Sequence, residues 1–297
     1  MTCRYEVTLN NVTMASLDSS ILIHDVQYEA PNYERNLFKI ANLQGRRPGK
    51  AYKERAAVKI TFEIHEYDTD DRQGVLTKII NWAKNGGDLR INDRPGQKLI
   101  CVCDEFPVIS SVCKWTDTLS ITFAAYDIPY WQSVDLYTTS AQYRKTASTT
   151  KADTFQHFTL DVPGDAMFAV PRIITVEDFT TGESDIAQIY LEMENYTRDD
   201  GLMAVTYPLP TGVTADIEYS YDEQQIMTFD ISYGTTVETL QGRYNSAVSN
   251  TCDLWLSCGK QNDVGLSLTK RGYNSSSQVV YTPLNADVEM KWRGYWE

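Results

Sequence analysis

The chain has 297 residues, 42% of them hydrophobic, 11% aromatic and 23% charged, enough apolar side chain for one large or two medium cores. Its net charge is −13, and the acid is unevenly spread: residues 1–136 carry 16 Lys and Arg against 18 Asp and Glu, whereas residues 137–297 carry 11 against 22. So acidic a second half argues against binding nucleic acid through phosphate attraction. No apolar run offers a spanning helix, and the opening MTCRYEVTLN lacks the basic and apolar stretches of a signal peptide, so a soluble chain made in a cytosol is expected.

In chain order, YEVTLNNVTM and ILIHDVQYEA are weak strand candidates, and AVKITFEIHEY is a strong one. Val58, Ile60, Phe62 and Ile64 point one way; Lys59, Thr61, Glu63 and His65 point the other. That alternation is the pattern of a half-buried antiparallel strand. Val75, Leu76, Ile79, Ile80 and Ala83 recur instead at helical spacing, with Asp70 or Asp71 as the expected cap and Gly86 or Gly87 as the stop. A short strand through Leu89 and Ile91 follows, then a type II turn at Arg94-Pro95-Gly96. The strands KLICVCDEF and TLSITFAAYD close this half, with one helix covering a sheet face.

Residues 134–156 are rich in Thr, Ser and Ala without sustained periodicity and read as a boundary or extended connection. Nine short strand-like runs split by turn residues come after, from FTLDVPG to ADVEMKWRGYW, the spacing of a β-sandwich.

Several stretches invite a chemical reading. Arg46, Arg47, Lys50, Lys53 and Arg55 crowd NLQGRRPGKAYKER against the single Glu54. Gly45 to Lys50 is one residue short of a phosphate loop, and Ala51 stands where Ser or Thr would hold magnesium. A solvated basic loop, able to meet acidic surface on an adjacent subunit, is expected instead. Glu192 and Glu194 share a strand face, as glycosidase carboxylates can. The Asp199-Asp200 and Asp70-Asp71 pairs read as turn residues. His24, His65 and His157 sit in separate strand-like segments with no nucleophile elbow near them. Cys101 and Cys103 face the same way and with Cys113 could make a soft metal site, but no Cys-x-x-Cys pair exists, and buried free thiols are expected. Tyr126, Tyr130 and Trp131, with Trp292, Tyr295 and Trp296, are read as exposed aromatics forming subunit or interdomain contacts.

Residues 57–133 resemble the N-terminal domain of the distal tail proteins of long-tailed phages. The helix VLTKIINWA is followed by Gly-Gly and a "L-x-x-x-D-x-P" strand and turn, met by Leu89, Asp93 and Pro95. A closing aromatic "D-P-Y" is met by Asp127, Pro129 and Tyr130, with Ile128 interposed. The second half resembles the galectin-like sandwich of that family at Phe229, Asp230, Leu256, Gly259 and Asn262, with Gln261 inserted before the Asn. The resemblance implies a mainly β chain of two domains: an N-terminal, β-sandwich-like, ring-forming domain with one α-helix (1–136), an extended connection (137–156) and a galectin-like β-sandwich (157–297). It also implies a homohexameric hub ring in the virion tail of a phage or prophage, assembled in the host bacterial cytoplasm. The expected partners are other copies of the chain, the tail tube protein, a tail-associated lysin or tip protein, and receptor-binding or baseplate proteins. DNA is expected only as passing cargo, and no membrane contact, catalytic residue, cofactor or metal is implied. The alternatives are a saccharide-binding sandwich, which needs a concave sheet face bearing exposed Trp, and a jelly-roll glycosidase using Glu192 or Glu194.

Overall fold

Period-two strands and one amphipathic helix sort the chain into two compact units, residues 1–134 with Trp296–Glu297, and residues 135–295. The computed structural model describes the backbone of residues 5–29, 33–39, 46–66, 68–107, 118–126, 128–166, 169, 171–182, 187–198, 202–221, 227–241 and 251–297. Among the described residues the fold is mainly β with one α-helix, and neighbouring strands along the three larger sheets pair antiparallel.

The first unit contains β1 (Val7–Leu9), β2 (Val12–Thr13), β3 (Ile21–Tyr28), β4 (Tyr33–Lys39), β5 (Arg46–Lys53) and β6 (Ala56–Ile64). Helix α1 (Thr69–Ala83) follows, then β7 (Gly87–Ile91), β8 (Gln97–Glu105), β9 (Leu119–Ala125) and β10 (Trp131–Ser133). The main sheet runs β2-β1-β7-β8-β9-β6-β3, with β10 also on β8. Strands β4 and β5 pair with each other as a separate two-stranded sheet.

Helix α1 buries Val75, Leu76, Ile79 and Ala83 among Val58, Ile60, Phe62, Leu99, Ile121 and Phe123. Full burial of each large aliphatic side chain contributes about 1.5–3 kcal/mol. Trp82, outside the expected stripe, packs edge-on to Phe123 and donates its indole N–H to the Val12 carbonyl. The cap is Asp68 rather than Asp70 or Asp71: its carboxylate accepts from their amides at 2.8 and 3.3 Å. An N-cap must stand outside the helix in extended geometry, and Asp68 does, at φ −83° and ψ 134°.

The helix ends where backbone crowding excludes a side chain. Gly86 has φ +61°, and a Cβ there would lie 2.2 Å from the Cys101 carbonyl. Asn10 locks this corner, donating to the Gly86 carbonyl at 2.8 Å and accepting from the Asp88 amide at 3.0 Å. Asn10 and Asn11 both have positive φ, as a two-residue type I′ hairpin between β1 and β2 requires. The expected type II turn is present: the Gln97 amide donates to the Arg94 carbonyl, and Gly96 has φ +75°.

The second unit packs two sheets into a sandwich. One contains β11 (Tyr137–Tyr143), β13 (Pro171–Thr180), β16 (Thr214–Tyr221), β17 (Met227–Tyr233), β18 (Thr236–Gln241) and β22 (Ala286–Trp292), in the order β11-β22-β13-β16-β17-β18. The other contains β12 (Gln156–Val162), β14 (Ala187–Asn195), β15 (Leu202–Leu209), β19 (Thr251–Asp253), β20 (Lys260–Tyr273) and β21 (Val279–Pro283). Its order is β12-β20-β14-β15-β19, with β21 on β20. A last two-residue strand, β23, is Tyr295–Trp296.

Residues 137–156, expected as a connection, carry β11, whose seven residues all pair with β22, and a 3-10 turn at Lys151–Thr154. Only Tyr143 of β11 is fully buried, so its sequence lacks an apolar alternation. Tyr143 donates its hydroxyl to the Thr154 carbonyl, and the Thr154 hydroxyl meets Ser267 at 2.8 Å. Phe229, Leu256 and Asn262 are buried. The Asn262 carboxamide knits a turn, accepting from the Ser257 amide and donating to the Ser257 carbonyl.

Three stability effects follow. Gly74 lies inside α1 with open space where a Cβ would stand. Gly74→Ala is therefore expected to stabilise by about 0.5–1 kcal/mol, whereas Gly86→Ala lowers stability by about 2 kcal/mol or more. Denaturant titration of the two variants reads both signs, and a neutral Gly86→Ala would contradict the crowding. Asp18, held by Lys78 at 2.9 Å and by the Ser20 amide and hydroxyl, has its carboxyl drawn down from 3.8 to about 2. A depressed folded-state pKa adds stability above the unfolded value and loses it as pH falls from about 4 through about 2. Urea titrations across that window should give a shallower acid decline for Asp18→Asn than for the parent.

Candidate functional site

The basic stretch of the sequence belongs to a hairpin. Arg46, Arg47, Lys50 and Lys53 lie on β5, paired to β4 from Tyr33↔Lys53 to Lys39↔Arg46. Their side chains lie outside the described residues. Between Tyr33 and Lys53 the chain has six Lys and Arg against one Glu, a local balance of +5 in a chain of −13. Arg55 stands where the chain returns to the main sheet. It pairs with Glu29, at the end of β3 where the chain departs, at 3.0 Å, and with Asp104 at 2.9 Å. Tyr126 donates its hydroxyl to Asp104 at 2.7 Å. Arg55 thus ties the two roots of the hairpin together and is already engaged within its own chain.

The aromatics expected to be exposed are mostly internal, which corrects the expected exposure. Tyr130, Trp131, Trp292 and Tyr295 are buried, Trp296 is half-buried, and Tyr126 is exposed. Trp131 packs edge-on to Tyr28 at 5.8 Å, and the Arg94 guanidinium lies over both rings, 4.6 Å from Tyr28 and 5.0 Å from Trp131. Tyr28 donates its hydroxyl to Asp93 at 2.6 Å, and burial, then Asp93, pushes its pKa up. Arg94 also donates to the Glu297 carbonyl at 3.1 Å. This cluster pins the turn whose Asp93 and Pro95 carried part of the family resemblance. Trp296 packs against the first unit's core. Trp292 stacks on Tyr137 and donates its indole N–H to the Asp161 carbonyl. Indoles placed so are core anchors. Asp127, also part of the resemblance, lies outside the described residues, as do Asp199, Asp200 and Cys113.

Glu192 and Glu194 do lie on one face of β14, but Glu192 is engaged by Lys151 at 2.9 Å and Arg271 at 3.1 Å. Lys151 also lies 3.9 Å from Glu194. A carboxylate clamped between two cations is not presented to a cleft as a general acid must be. A groove of about 350 Å³ crosses β11, β22 and β13, lined by Glu177, Asp287 and Glu289 with Ser140, Gln142 and Thr175. Its described lining contains no aromatic side chain on which a sugar ring could stack. His157 pairs with Asp263 at 2.8 Å against Tyr196. Cys101 is buried, and burial pushes its thiol far up; burial also pushes the thiols of Cys103 and Cys258 up, to about 11 each. Protonated thiols of that kind are poor nucleophiles and poor ligands.

No family model and no curated protein matches the chain. The described fold, a β unit braced by one helix followed by a two-sheet sandwich, is similar to that of a solved phage protein. One similar solved structure is the Dit protein (gp 19.1) of phage SPP1, described as a paradigm of the hub adsorption apparatus in phages infecting Gram-positive bacteria. The likeness covers 99% of each chain at a TM-score of 0.58 and 9% identity, so it is one of fold. Two structures of the phage p2 baseplate in its activated conformation, with Ca and with Sr, also align at 9% identity. Their TM-scores are 0.45 and 0.44, over 99% and 97% of this chain and 98% and 97% of those chains.

If the indoles are core anchors, Trp131→Ala and Trp292→Ala each lower stability by about 3–5 kcal/mol. Denaturant unfolding at a dilution where any assembly has dissociated measures this, and unchanged midpoints would return the indoles to the surface.

Proposed function

We propose that this chain is a structural component of a phage tail. In this reading six copies close into a hub ring that joins the tail tube to the tip and host-adhesion apparatus. The observation that carries it is the correspondence of fold with SPP1 Dit across 99% of both chains, helix and sandwich included. The first unit forms the ring, residues 1–136 serving as the tube-proximal domain, and the sandwich faces the adhesion proteins. Assembly, rather than catalysis, is the work of the fold. The partners are the tail tube protein, a tail-associated lysin or tip protein and receptor-binding or baseplate proteins, in a virion tail put together in the host bacterial cytoplasm.

The charge distribution supports this reading. A hairpin of +5 on a chain of −13 is the arrangement expected of an arm that reaches acidic surface on the neighbouring copy. Arg55 holds the arm's roots while Arg46, Arg47, Lys50 and Lys53 meet the neighbour. The net negative charge suits a ring through which DNA passes, since a negative wall does not retain a polyanion.

Reversing Arg46, Arg47, Lys50 and Lys53 to Glu should raise the concentration at which the ring half-dissociates by about tenfold or more, ~1.4 kcal/mol per tenfold. Sedimentation velocity measures this, and added salt should shift the parent in the same direction. A ring indifferent to both changes would remove the hairpin from the contact.

A further inference from the structure

Three residues separated in sequence meet on the outer face of the first unit's sheet. Strand β3 is bulged: Ile23 pairs with Phe62 and Asp25 with Thr61, so His24 is the extra residue between them. A bulge re-aims the side chain it carries, and His24 turns toward Glu63, its Nε2 3.2 Å from the Glu63 Oε2. Two residues on, His65 lies on the same outward side of the chain as Glu63, with its Nε2 2.9 Å from the same oxygen. The His65 backbone is fixed by its amide donating to the Ser20 carbonyl at 2.8 Å.

We propose that His24, Glu63 and His65 form a binding site for a divalent transition metal ion of the zinc class. Their ligand atoms all lie within 4.8 Å of one another. Tetrahedral zinc with bonds of about 2.0–2.1 Å needs neighbouring ligand atoms roughly 3.3 Å apart, so small side-chain rotations bring the three into position. Two imidazoles and one carboxylate suit Zn, Ni, Co or Cu(II); calcium and magnesium prefer sites built of oxygen alone. With neutral imidazoles the site carries one negative charge, complementary to a dication. The His24 and His65 side chains are 39% and 44% exposed, which leaves room for water or a ligand from another molecule in a fourth position. Because the ligands come from β3, from β6 and from the residue that follows β6, a bound ion would fasten the terminal strand of the sheet to its neighbour.

Calorimetric titration of the full chain with zinc chloride tests the site independently of ring assembly. One zinc per chain is expected, with binding weakened about 100-fold or more in His24→Ala/His65→Ala, beyond the ~10–100-fold that losing a supporting residue costs. Glu63→Gln keeps the shape of the side chain and should also weaken binding, so a misfolded double variant would not obscure the answer. Zinc should raise the unfolding temperature of the parent and leave that of the double variant unchanged. Equal binding by parent and variants would place the ion elsewhere in the chain, and absence of binding by the parent would overturn the site outright.

Discussion

The packing of one helix face on the first sheet organises everything around it. The α1 stripe of Val75, Leu76, Ile79 and Ala83 has no polar group on its buried side, and it covers the apolar faces of β6, β8 and β9. The corner after the helix fixes where that stripe sits. Only glycine fits against the Cys101 carbonyl, and the Asn10 carboxamide bridges Gly86 to Asp88, so the helix end, the first hairpin and β7 are set together. A close backbone approach of this kind specifies one geometry more sharply than apolar burial alone, which tolerates sliding.

From that corner the chain reaches two features that bear on function. The turn after β7 is fastened by Tyr28, Arg94 and Trp131, so aromatic area that might have served a partner serves the fold. The departure of the hairpin from the sheet is fastened by Arg55 between Glu29 and Asp104. In the second unit the carboxylates that suggested hydrolysis are held by Lys151 and Arg271, and the described groove is acidic and free of aromatics. Among the described residues, neither Glu192 nor Glu194 is presented to a cleft, and the groove has no ring on which a sugar could stack.

Much of this was legible in the sequence, wherever one face of an element is buried. Alternation at Val58, Ile60, Phe62 and Ile64 marked β6, helical spacing marked α1, and Pro95-Gly96 marked its turn. Two strands escape that reading, for different reasons. Strand β11 is exposed along most of its length, and β15 alternates Met203, Val205, Tyr207 and Leu209 but contains Pro208, which reads as a breaker. Basic residues on β5 read as a loop because a hairpin outside the main sheet has no apolar period. Aromatic exposure was misread since Trp131 and Trp292 are buried by partners distant in sequence. The His24, Glu63 and His65 cluster was hidden by a bulge, which shifts the face of one residue and which no period reveals.

Electron microscopy of the purified chain, with its mass in solution, tests the central claim most directly. The account predicts a closed ring of six copies with a central opening. A chain that stays monomeric at high concentration, both alone and with the tail tube protein, would contradict it.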